Sequence, residues 1–231
     1  MSSFKIILDR VKALSEFTGR GVLFNLNYMP DTILGGIVLF ALILQSPPLA
    51  ILGVSLFSLE FVHAGIAAFL SKAISGLNEP SKDVARCSGR FPGISYERAV
   101  GILVSEGTMK TLAVSFPSYY MMFFGTLFGY TFAVSQTYEE ELKAMPVKRA
   151  STLSGLIVMG ILTLMFALFR VGTECDSFLS VLVGYAIGLL IGYTLENLVA
   201  FLSGRELTNI INIPLLRDRA ADGKPIYVCK K

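Results

Sequence analysis

The sequence predicts an all-α fold, a polytopic membrane helix bundle of about five spans preceded by an amphipathic helix. Three observations carry this reading. Five apolar runs, Tyr28–Leu44, Leu49–Leu70, Thr111–Val134, Ser151–Phe169 and Phe178–Leu202, are 17 to 25 residues long. A hydrocarbon core about 30 Å thick needs about 20 apolar helical residues to cross it. Hydrophobic residues make up 53% of the chain and charged ones 16%, with a mean hydropathy of +0.64. Soluble domains carry about a quarter charged residues. Glycines also recur every four residues in the fifth run, as in helices that pack closely in lipid.

Residues 1–27 form the first segment. Phe4, Ile7, Leu8, Val11 and Leu14 recur at helical spacing, with Lys5, Asp9, Lys12 and Glu16 opposite them. This pattern predicts an amphipathic helix over Ser3–Phe17, lying either in the headgroup plane or on the protein's own loops. Met1–Arg20 has charges scattered through it and no apolar block, so the first spans are expected to act as the insertion signal. Position 2 is Ser, which excludes the myristoylation pattern, and no Asn-x-Ser/Thr acceptor occurs.

Residues 28–204 form the bundle. The first two runs are joined by Gln45-Ser46-Pro47-Pro48, a turn so short that the helices must be antiparallel neighbours. The first run is thin, and the alternative is a re-entrant hairpin that leaves on the side it entered. Residues 71–110 form the largest polar loop, with turn signals around Cys87 and a short surface helix expected over Tyr96–Ser105. Pro117 is expected to kink the third span. Tyr138–Arg149 reads as a solvated charged turn. Residues 205–231 form a polar tail, in which Ile226–Val228 is expected to pair as an edge strand with a partner. With five spans, 11 Lys and Arg fall on one side and 9 on the other, so the positive-inside bias does not set the orientation.

The candidate functional residues fall in three groups. Gly125 and Gly129 in the third span, and Gly184, Gly188 and Gly192 in the fifth, predict helix packing through close backbone approach. Spacing alone does not separate contacts within one chain from those of a homo-oligomer. Glu60 and His63 share a face near the centre of the second span, and Glu196 interrupts the glycine row of the fifth. Ionisable groups at such depth mark a functional site or a buried partner. The readings are a proton or ion relay, half of a metal site, or structural hydrogen bonds from Glu60 to His63, Ser58 or a neighbouring helix. A di-iron site needs a second Glu-x-x-His, and His63 is the chain's one histidine, so no metal or other cofactor is expected. If the second and fifth spans pack together, Glu196 and His63 become partners. Cys87 and Cys175 are expected on one side of the membrane and Cys229 on the other, so a Cys87–Cys175 disulfide forms if that shared side is oxidising.

No zinc-protease His-Glu-x-x-His and no phosphate-cradling loop with Lys is present, and Ser154-Gly155 with His63 is a poor serine-protease match. No enzyme is expected. A net charge of +3 without a basic, aromatic-interleaved strip excludes nucleic acid as an expected partner.

The span Val183-Gly184-Tyr185-Ala186-Ile187-Gly188 and the tail Lys224-Pro225-Ile226-Tyr227-Val228-Cys229-Lys230-Lys231 resemble small multi-pass membrane proteins in the virions of large icosahedral DNA viruses. The resemblance covers about 50 residues. It implies an integral protein of the virion inner membrane, contacting capsid proteins through its polar ends. The expected function is therefore structural, with the lipid bilayer and neighbouring membrane or capsid proteins as partners. The alternative is a small transporter or channel component with Glu60 and His63 as its polar centre.

Overall fold

The computed structural model describes residues 28–73, Cys87, 116–213, 216–219 and 225–227. The expected amphipathic helix over Ser3–Phe17, the surface helix over Tyr96–Ser105 and the first residues of the third apolar run lie outside the described residues. Helix α1 spans Met29–Ile43, α2 Pro47–Ala73, α3 Tyr119–Thr137, α4 Glu139–Ala144, α5 Pro146–Gly172 and α6 Phe178–Ser203. A 3-10 turn, Arg205–Thr208, follows α6. Strands β1 (Leu216–Arg219) and β2 (Pro225–Tyr227) then form an antiparallel hairpin. Asp218 faces Ile226 and Arg219 faces Pro225 in that hairpin. The expected pairing of Ile226 with a partner is thus corrected: the chain supplies its own second strand, Leu216–Arg219.

Helices α1 and α2 form the tight antiparallel hairpin that the short connection requires. Gln45 takes a left-handed φ of +48° in the turn. Pro47 and Pro48 open α2 rather than merely ending α1, since proline's missing N–H costs nothing in a first turn. At 1.5 Å per residue, the 15 residues of α1 reach about 22 Å, short of a bilayer core. Pro47–Leu70, α5 and α6 are the described helices long and apolar enough to cross a membrane. The protein is an integral membrane protein on this ground.

Helix α3 falls short of that measure of apolarity for a physical reason: it faces protein. Twelve of its 19 residues are buried, among them Tyr119, Tyr120, Phe123, Phe124, Thr126 and Tyr130. A helix wrapped by others can carry Tyr and Thr: the hydroxyls of Tyr119, Tyr120 and Thr126 each find a partner inside the fold. Helix α5 is its opposite. Its large side chains Leu153, Ile157, Ile161, Leu164, Met165 and Leu168 are all more than half exposed, as lipid contact demands. Only Thr163, Phe166 and Arg170 of α5 are buried, at the spacing of one helical face.

Pro117 does not kink the third span. It precedes α3, which starts at Tyr119 with Ser118 as its N-cap; the Ser118 side chain accepts from the Met121 N–H.

Candidate functional site

The five packing glycines meet in one seam, between α3 and α6. A side-chain carbon built on Gly184 would sit 2.5 Å from the Ser118 carbonyl oxygen, and one on Gly125 2.5 Å from that of Tyr185. One on Gly188 would strike the Met122 carbonyl, and one on Gly129 that of Leu189. At Gly192 it would strike the Thr126 carbonyl and lie 2.7 Å from the Tyr130 nitrogen. All five obstacles are backbone atoms, which cannot swing aside. Ser118, Met122 and Thr126 meet Gly184, Gly188 and Gly192 at a constant difference of 66 in residue number, so the two helices run parallel. This register orders the polar groups of both helices.

At the end where α3 and α6 begin, polar side chains form a latch. Cys87 and Cys175 are joined by a disulfide, with Cα atoms 5.4 Å apart, and both are buried. Arg170, fully buried, donates from Nε to Asp176 Oδ2 at 2.7 Å and from Nη1 to the Cys87 carbonyl at 3.0 Å. Its guanidinium lies 4.0 Å from the centre of the Tyr120 ring. Asp176 Oδ2 also accepts from the Ser118 hydroxyl at 2.7 Å, and the Ser118 N–H donates to the Ser180 carbonyl. One carboxylate thus ties the end of α5 to the starts of α3 and α6. The sequence left Arg170 and Asp176 in a short loop and Ser118 inside the third apolar run; their one signal is an Arg closing an apolar run six residues before an Asp.

Glu60 and His63 act nearby, at the other contact with the start of α3. The His63 Nε2–H donates to the Pro117 carbonyl at 2.7 Å, and because a carbonyl only accepts, the ring proton sits on Nε2. The Tyr119 hydroxyl donates to Glu60 Oε1 at 3.3 Å. These are bonds between helices, and Glu60 bonds a neighbouring helix rather than His63. Glu196 does not meet His63: the register sets Glu196 at the level of Tyr130, more than three turns along α3 from Pro117. Asn197, adjacent in sequence, points outward and bonds back to the Tyr193 carbonyl at 2.8 Å.

At the opposite end, Tyr138–Arg149 is only partly a solvated turn. Glu139 and Lys143 are exposed and paired at 2.7 Å. Glu141 and Tyr138 are buried. Arg205 approaches Glu141 Oε1 at 3.3 Å, stacks 5.0 Å from the centre of the Tyr138 ring and donates to the Thr137 carbonyl. The Tyr138 hydroxyl donates to the Arg205 carbonyl, and burial pushes this phenol above its ordinary value. Lys148 Nζ donates to the Asn212 carbonyl at 3.1 Å, which ties α5 to the start of the tail. The sequence missed these pairs because Arg205 lies 64 residues from Glu141.

Among the described residues, no group of three or more His, Cys, Asp or Glu is gathered as a metal site. No family model, curated protein or solved structure matches the chain.

Proposed function

We propose that this protein is a structural, non-enzymatic component of a lipid layer, which holds neighbouring membrane or capsid proteins through its two polar ends. The observation that supports this most is how the polar side chains of both ends are used. Arg170, Asp176, Ser118 and the Cys87–Cys175 disulfide brace one end, and Arg205, Glu141 and Tyr138 brace the other. Braced ends present fixed surfaces, and a partner loses little conformational freedom on docking to them. Glu60 and His63, the polar centre of a transporter reading, are engaged in holding α2 to the start of α3. The likeness of Val183–Gly188 and Lys224–Lys231 to virion membrane proteins supports the inner membrane of a virion as the lipid layer.

The test is composition and assembly. Purified native assemblies should contain the chain at fixed stoichiometry beside a capsid or coat protein. Truncation after Gly204 should break that association, while Glu60→Gln and His63→Gln preserve it. The reverse pattern, with a pH-dependent flux in proteoliposomes abolished by Glu60→Gln, would overturn the reading in favour of transport.

A further inference from the structure

We propose that Glu196 is the carboxylate of a monovalent-cation site, closed by the Tyr130 hydroxyl, in the seam between α3 and α6. Glu196 continues the row Gly184, Gly188, Gly192 and so lies on the same face of α6, against α3. It has no exposed surface, and neither of its carboxylate oxygens has a hydrogen-bond partner among the described residues. The register of the seam sets it opposite Tyr130, whose buried hydroxyl also has no hydrogen-bond partner there. Two fully buried polar groups on facing helices, neither with a hydrogen-bond partner among the described residues, point to an occupant.

The surroundings define that occupant. An ionised carboxylate in the low dielectric of a bundle core needs a compensating positive charge. No Lys, Arg or His side chain forms an ion pair with Glu196 among the described residues. The end of α3 contributes Tyr130 and Tyr138, both close enough to couple electrostatically with Glu196. Arg205 of the 3-10 turn is engaged with Glu141 of α4. Between Arg149 and Arg170, α5 carries no charged residue. The donors are carboxylate and phenol oxygens, hard ligands that suit a proton or an alkali cation and not a soft metal. Glu196 lies seven residues, about 10 Å, from the end of α6 at Ser203. The Arg205 end is therefore the shorter route in.

Two measurements on the full-length protein in liposomes test this. Infrared difference spectra between wild type and Glu196→Gln read a protonated carboxyl directly, and equilibrium binding of radioactive sodium reads an alkali ion. A protonated-carboxyl band lost in Glu196→Gln identifies the proton as occupant. No such band, with sodium bound in proportion to the chain and lost in Glu196→Gln, identifies the alkali ion. Absence of both overturns the proposal. An intact Cys87–Cys175 bridge and unchanged helical circular dichroism in Glu196→Gln show that the variant is folded.

Discussion

At the scale of the residue, the most consequential group is one the sequence hid. Arg170 ends an apolar helix, where a cation usually reaches for headgroups. Here it is fully buried, bonded to Asp176 and stacked on Tyr120. Coulomb attraction between Arg170 and Asp176 is strong in that low dielectric, but so is the cost of removing both from water. The pair therefore matters chiefly when one member is lost. Asp176→Ala takes away the carboxylate that Arg170 and Ser118 share. Thermal unfolding in detergent should show a destabilisation of about 3–5 kcal/mol. A change below about 1 kcal/mol would show that the guanidinium finds water instead.

At the scale of the element, α3 and α6 carry the fold. Lipid offers no hydrophobic drive between helices, so attraction rests on close packing, which the glycines allow. Gly192→Ala puts a methyl group onto the Thr126 carbonyl and the Tyr130 nitrogen, and the helices must separate. Overpacking of this kind costs about 1–3 kcal/mol. Gly155 of α5 has nothing within 4 Å of an added carbon. Gly155→Ala should therefore stay within about 1 kcal/mol of wild type. Chemical denaturation of the two variants side by side checks the contrast; equal effects would mean that the seam does not set stability. Only Gly192 belongs to a four-residue glycine row, and the neighbouring helix shows what that row touches.

At the scale of the whole molecule, the bundle has two chemically distinct ends. The Cys87–Cys175 bridge spans 88 residues of sequence. In the chain-entropy account a loop of that length is worth about 4–5 kcal/mol of stability. Such a bridge forms and persists where its surroundings are oxidising. Cys229 is the chain's third cysteine. A maleimide in denaturant should label Cys229 without reduction, and Cys87 and Cys175 only after it. Labelling of all three without reduction would remove the bridge.

The sequence by itself determined the solvent, the helical class and the residues of the seam. Length, apolarity and four-residue glycine spacing are local properties, written in consecutive positions. The short turn at Gln45–Ser46 determined the α1–α2 hairpin for the same reason: few residues leave few paths. Only the tertiary structure decided what the glycines touch, that α3 is wrapped by protein and that α1 falls short of a span. It also decided that Pro117 precedes its helix, that Glu196 lies at the level of Tyr130 rather than of His63, and that Arg170 and Arg205 find carboxylates. These outcomes depend on helices separated by dozens of residues, and on a parallel register that the packing of two backbones sets.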